Sequence, residues 1–182
     1  MAVLPITVYG DKVLRQKAIE IEAIDDELIK NIQDMFETMR ESNGIGLAAN
    51  QVGLLKKMFV IDLSPVEDYE DLKPIVMINP EIIKVSDETW KMEEGCLSLP
   101  GLGVNIERSF GIQIKYLDPN EEEKILEVDD FYARVIQHEY DHLIGKLMPD
   151  RTDAFTKRKI KGDLMRIMKR EVNVDYEITE RK

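Results

Sequence analysis

Cysteine and histidine are scarce in this sequence: one Cys and two His among 182 residues. A lone cysteine, Cys96, excludes an intramolecular disulfide and points to a reducing compartment, the cytoplasm. No stretch reaches the ~18 consecutive apolar residues of a membrane-spanning helix. The opening "MAVLPITVYGDK" lacks the basic-then-apolar pattern of a secretory signal. Internal repeats, low-complexity tracts and Pro/Gly/Ser-rich linkers are also missing, so one domain over residues 1–182 is expected. Positive charge is in deficit. The formal net charge of −11 argues against DNA or general nucleic-acid binding. The deficit is uneven, because "TKRKIKGDLMRIMKR" (156–170) holds seven Lys or Arg against Asp163 alone.

Hydrophobic spacing supplies the elements. In "DDELIKNIQDMFETMRES" (25–42), Leu28, Ile32, Met35, Phe36 and Met39 recur at three- and four-residue steps. That spacing predicts a helix, capped by Asp25 or Asp26 and stopped at Asn43-Gly44. "KMFVIDL" and "PIVMINPEIIKV" are β-branched runs bounded by Pro and Asp, and read as strands. "VNIERSFGIQIKYLDPNEEEKILEVDD" reads as strands meeting at an Asp118-Pro119-Asn120 turn. Phe131 to Ile144 reads as a helix ending near Gly145, and residues 153–171 as a final amphipathic helix with Ile160, Leu164, Ile167 and Met168 on one face. The tail 172–182 gives no reading. Strands in the middle and helices at both ends make an α+β protein.

Both histidines lie in "IQHEYDHLIG" (136–145), four apart, with Glu139 after the first. Positions i and i+4 share a helix face, so His138 and His142 can meet one metal ion. Glu139 lies about 100° around the helix, within reach of a metal-bound water without ligating. This is the H-E-x-x-H arrangement of two ligands and a general base. A catalytic site typically needs a third protein ligand and one open position. Downstream, Glu171, Glu177 and Glu180 are available, but nothing marks them out. Upstream, Cys96 sits in "EEGCLSLPG", 42 positions before His138. A lone Cys is commonly a small buried apolar residue. Here Gly95 permits close backbone approach and Pro100-Gly101 supplies a turn, so a Cys on a strand facing the helix would complete a Cys-His-His set.

A third stretch, "NGIGLAANQVG" (43–53), is Gly-rich but lacks the Gly-Lys-Ser/Thr ending of a phosphate loop. Gly44, Gly46, Ala48 and Ala49 would let a ligand backbone lie close, and Gln51 adds an amide able to donate to a developing oxyanion.

"GIGLAANQ", "EGCLS" and "QHEYDH", in this order and spacing, resemble the motifs of the peptide deformylase family. "VLRQKA", "MINPEI" and "PGLGVNIERSFGIQIKYLD" extend the resemblance over roughly residues 5–170. It implies antiparallel or mixed sheets around a central metal-binding helix, with helices at both ends. It implies a hydrolase that removes the formyl group from formylmethionine at the start of nascent polypeptides. The metal falls to Cys96, His138 and His142. Fe(II) is the implied physiological ion, and Zn, Ni or Co can occupy the site. In the implied mechanism, metal-bound hydroxide attacks the formyl carbon, with Glu139 as general base and then acid. Gln51 and the Leu97 N–H hold the oxyanion. Substrate backbone lies along Ile45, Gly46 and Gly95, and the methionine side chain enters a pocket near Ile45, Val135 and His138. Glu94 is expected to pair with Arg108 behind the ligands, and Asp141 to orient a ligand or face solvent.

The sequence departs from the family at "GLGVNIE", where many members carry a basic residue between the Pro after the Cys motif and the position of Arg108. The basic helix has an implied use as well, docking on ribosomal RNA phosphates near the peptide exit. Two competing readings are an H-E-x-x-H metallopeptidase, which lacks an evident downstream ligand, and a structural metal protein, which leaves Glu139 unexplained.

Overall fold

The computed structural model describes residues 1–180; Arg181 and Lys182, the end of the expected 172–182 tail, lie outside the described residues. In chain order, the elements are α1 (Asp26–Glu41), β1 (Gly46–Ala48), β2 (Met58–Ile61), β3 (Ile75–Val85), β4 (Thr89–Glu94), β5 (Val104–Ser109), β6 (Gly111–Leu117), β7 (Glu123–Asp129), α2 (Asp130–Leu143) and α3 (Ala154–Met168). Short 3-10 turns cover Lys12–Arg15, Ala49–Val52 and Met148–Arg151.

α1 begins where Asp25 accepts from the Leu28 N–H at 2.8 Å, satisfying one of the orphan donors of its first turn. It stops at Asn43, in the left-handed region at φ 54°, and the Gly44 N–H closes back on the Met39 carbonyl at 2.8 Å.

Five strands form one antiparallel sheet in the order β1-β2-β3-β6-β7, and β4 pairs with β5 in a separate antiparallel ribbon. The long 104–130 stretch therefore splits twice. The Asp118 turn joins β6 to β7, as its Pro and Asn predict. A second break at Phe110 sends the chain from the ribbon to the main sheet.

Two strands escaped the sequence reading. β1 is only three residues long. β4, "TWKMEE", is largely exposed and buries only Glu94, so Trp90 and Met92 alone carry its apolar alternation, too short a run to mark a strand. Cys96 is not on a strand, contrary to expectation. It lies just past β4, in a loop where the Leu99 N–H turns back to the Cys96 carbonyl at 2.9 Å.

α2 lies at the centre, touching β1, β2, β6 and β7 of the main sheet and β5 of the ribbon. Its apolar side, with Ala133, Val135, Ile136 and Leu143, packs into a core with Phe59, Met77 and Ile114 from the sheet. A second core joins α1 to β2 and β3 through Met35, Met39, Met58, Val60, Val76 and Ile78. A third joins the ribbon to α3 through Ile106, Ile160, Leu164 and Ile167. α2 ends at Gly145 (φ 74°), where a side chain would come within 2.7 Å of the Arg15 carbonyl. Only glycine accepts both the left-handed backbone and the close approach.

Candidate metal-centred active site

α2 carries Arg134, His138 and His142 at four-residue steps, so all three share one face. Facing them, the loop after β4 brings Cys96. The Cys Sγ and the two imidazoles place their ligating atoms within 4.8 Å of one another, and Cys96 Sγ lies 3.3 Å from His142 Nε2. This is the one cluster of three such donors among the described residues, and Glu171, Glu177 and Glu180 are not in it.

The surroundings suit a divalent cation. His138 Nδ1 meets Glu94 Oε2 at 2.9 Å, which fixes the ring and leaves Nε2 free to ligate. Burial alone would lower the pKa of His138, yet Cys96 and Glu94 raise it well above its usual value. Burial and the neighbouring His138 push His142 well below its own, keeping it neutral. The centre thus favours a positive charge beside a neutral imidazole. A thiolate with two imidazoles is a donor set for a borderline-soft metal.

Behind the donors lies a buried ionic network. Glu94 Oε1 accepts from Arg108 Nε and from Arg134 Nη1, each at 2.6 Å. Arg108 Nη1 donates to Asp141 Oδ2 at 2.8 Å, and Arg151 completes the pairing of Asp141. The expected Glu94–Arg108 pair is present, and Asp141 is buried in the network, not facing solvent. Burial would raise Glu94, but hydrogen bonds from His138 and Arg108 hold its carboxyl well below the usual range.

Arg134 was not anticipated. It is 1% exposed and stacks 4.3 Å over the Trp90 ring, while donating to the Trp90 and Ile106 carbonyls at 2.7 and 3.1 Å. Its four-residue step before His138 was the available signal.

Glu139 is 4% exposed, and its Oε2 has no hydrogen-bond partner among the described residues. Burial pushes its carboxyl up to about 7, against the pull of His138 and Arg108. A carboxyl so poised can take a proton and give it back near neutral pH. Gly46 has a clear reason here: a side chain on it would come within 2.6 Å of Glu139 Oε1. Its smallness accommodates the carboxylate, which the expectation of a close-lying substrate backbone did not foresee. Gly95, by contrast, has nothing within 4 Å of where its side chain would project.

Gln51 sits in the Ala49–Val52 turn and is buried. Its Oε1 accepts from the Ala48 N–H at 2.8 Å, which orients the amide so that Nε2 reaches Ser98 Oγ at 3.1 Å and Cys96 Sγ at 3.6 Å. Asn50 Nδ2 donates to the His142 carbonyl at 2.5 Å, tying this turn to the end of α2. Among the described residues, the Leu97 N–H donates to no protein acceptor, while the Leu97 carbonyl accepts from the Tyr176 hydroxyl at 2.8 Å. Burial pushes the Tyr176 phenol up to about 12, so it donates throughout the working range.

These groups open on one cavity of about 470 Å³, a size suited to a small ligand or chain end. Cys96, His138, Glu139, Gln51 and Leu97 line it, together with Ile45, Gly46, Gly95 and Val135, while Phe131 and Met92 extend its apolar wall. Arg108 and Asp141 do not line it; they act from behind. Near the rim, a side chain at Gly103 would come within 2.9 Å of the Glu93 carboxyl carbon. An acidic side chain thus packs against the "GLGVNIE" stretch, in which the family pattern leads to the expectation of a basic one.

Comparison with known proteins agrees with this geometry. The family model described as polypeptide deformylase matches residues 3–158. A peptide deformylase from Prosthecochloris aestuarii is 43% identical over 178 residues, covering 98% of this chain and 95% of that protein. The crystal structure of peptide deformylase from Thermotoga maritima aligns with a TM-score of 0.78 at 42% identity, covering 84% of this chain and 99% of that one. That from Ehrlichia chaffeensis aligns at 0.84 and 37% identity, covering 93% and 97%. With the three motifs gathered at one cavity and this likeness spanning nearly the whole chain, the protein belongs to the peptide deformylase family of hydrolases.

Proposed function

We propose that this chain removes the formyl group from the N-terminal formylmethionine of nascent polypeptides, releasing formate and a free amino group. The observation that carries the reading is Glu139: a buried carboxyl with an unpartnered oxygen, in the wall of the cavity and beside three converging metal donors. Cys96, His138 and His142 would hold one divalent ion, Fe(II) in the cell, which when bound supplies a Lewis acid and makes a water acidic enough to act near neutral pH.

The chain's own residues do the rest. Glu139 accepts a proton from the attacking water and returns it to the amine nitrogen as the C–N bond breaks. Gln51 Nε2 and the Leu97 N–H donate to the formyl oxygen as it gains negative charge. Glu94 keeps the His138 ring in its ligating orientation, and Arg108 and Asp141 keep Glu94 in place. Ile45, Val135 and Phe131 offer an apolar wall for the methionine side chain, and the polypeptide leaves along Gly46 and Gly95.

Residues 1–182 work as a single catalytic domain in the cytoplasm. Exposed Lys157, Arg158, Lys159 and Lys161 on α3 dock it on ribosomal RNA. Arg170, the last basic residue of that segment, is excluded from docking because it pairs with Asp11.

Anaerobic purification, metal analysis and assay on formyl-Met-Ala test the reading. One formate should appear per free amine, with internal peptide bonds left intact. Cys96→Ala should lose both metal and activity. Full activity in that variant would refute the ligand set, and cleavage of internal bonds without formate would favour a peptidase.

A further inference from the structure

The family match ends at residue 158, but the chain beyond it returns to the cavity. After α3 the backbone reverses at Arg170, in the left-handed region at φ 62°. Residues 172–180 then run beside the N-terminal segment. Ile178 pairs with Ile6 as a parallel bridge, the Ile6 N–H donates to the Glu177 carbonyl at 2.9 Å, and the Thr179 N–H to the Ile6 carbonyl at 2.9 Å. Side chains secure the same seam. Thr179 Oγ1 donates to Asp11 Oδ2 at 2.6 Å, and Arg170 bridges Asp11 and the Thr179 carbonyl.

The N-terminal segment joins this tail to the two loops of the site. The Thr7 N–H donates to the Gln51 carbonyl at 2.8 Å, and the Tyr9 N–H to the Ser98 carbonyl at 2.9 Å. Thr7 Oγ1 adds a bond to the Asn50 carbonyl at 3.0 Å. Tail, N-terminal segment and site loops therefore form three successive layers. From the outermost, Tyr176 reaches over to the Leu97 carbonyl at 2.8 Å, and its side chain forms part of the cavity wall.

We propose that Tyr176 is a positioning residue for this site: its hydroxyl pins the Leu97 carbonyl, one peptide beyond the Leu97 N–H, and so limits the movement of that donor at the cavity wall. A backbone donor is useful only if it does not reorganise as charge develops. The Cys96–Pro100 loop has no strand partner of its own. Its outer side is held by the tail through Tyr176, in addition to the Tyr9–Ser98 bond. The inference rests on the deformylase reading for its catalytic consequence, but not for the contact itself.

The test is Tyr176→Phe, which keeps the ring and removes only the donor. Formyl-Met-Ala turnover should lose about tenfold in kcat, the low end for an outer partner of a catalytic group, with KM moved less than twofold and Tm within a few degrees. Thr179→Val, which loosens the tail away from the cavity, should give a smaller loss of the same kind. Hydrogen exchange provides a readout independent of turnover: the Leu99 amide, bonded to the Cys96 carbonyl, should exchange several-fold faster in Tyr176→Phe, with α1 unchanged. Unchanged kcat would overturn the proposal, even if exchange rose, because the bond would then be structural only. Unchanged exchange would overturn it too. If the wild type released no formate, the functional reading would fail, while exchange would still report on the Tyr176 contact separately.

Discussion

α2 and α3 are helices of 14 and 15 residues that treat charge in opposite ways. α2 buries Arg134, Glu139, Asp141 and His142. α3 buries only Ile160, Leu164 and Ile167, and leaves most of its cations in water. A buried charge costs several kcal/mol unless it is paired, so a helix that buries four polar or charged groups has a use for them. On α2 that use is to aim a ring and hold a proton. Exposed cations carry little such cost and constrain little, and under the docking proposal they would serve long-range attraction that salt screens.

Removing Glu94 should break the buried side most severely. Glu94→Ala leaves Arg108 and Arg134 without their shared carboxylate. The expected cost is about 3–5 kcal/mol in denaturant unfolding, with metal affinity falling about 10- to 100-fold. A loss under 1 kcal/mol would mean that the network relaxes and does not organise α2.

Gln51→Ala should leave the metal bound and cost about 3 kcal/mol of activation barrier, seen as a fall of 10²–10³ in kcat. The fold should tolerate it less well than a surface change, because Gln51 also accepts from Ala48.

Acid should separate the two helices further. The folded Glu94 carboxyl titrates below its ordinary range because His138 and Arg108 donate to it. Its contribution is therefore full above the unfolded carboxylate pKa of about 4.3 and is lost as pH falls through the lower folded value. Tm should drop steeply between about pH 5 and 2, and the slope should flatten in Glu94→Gln. Asp62, held low by Ser64 and Arg40 against its burial, adds to the slope from outside α2 and should persist in that variant.

The smallest structural effect belongs to α3. Reversing Lys157, Arg158 and Lys161 to Glu should move Tm by no more than about 2 °C, with peptide turnover intact and ribosome pelleting abolished. Unchanged pelleting would sink the docking proposal.

The same contrast explains what could be read from the chain alone. α1 and α3 were legible because their buried residues keep helical spacing around a polar face. His138, Glu139 and His142 were legible because a local pattern encodes their geometry. Cys96 was a candidate from its Gly95 and Pro100-Gly101 flanks, but its assignment came from resemblance, since its loop makes contact with α2 only in three dimensions, 42 positions before His138. β4 was hidden because its apolar residues are only Trp90 and Met92, and its one buried residue is the acid Glu94. Tyr176 was illegible for a related reason: its partner is a Leu97 carbonyl, which leaves no pattern in sequence, while the four-residue step from Arg134 to His138 marks a shared face but not the pairing with Glu94. The role of Gly46 changed most, because the group it makes room for is the chain's own Glu139.

Glu139→Gln tests the central claim most directly, with metal content and formate release measured on the same anaerobic sample. The account predicts one divalent ion still bound through Cys96, His138 and His142, a wild-type-like fold, and formate release from formyl-Met-Ala reduced by about 10²–10⁴. Formate release at the wild-type rate with the ion in place would contradict it.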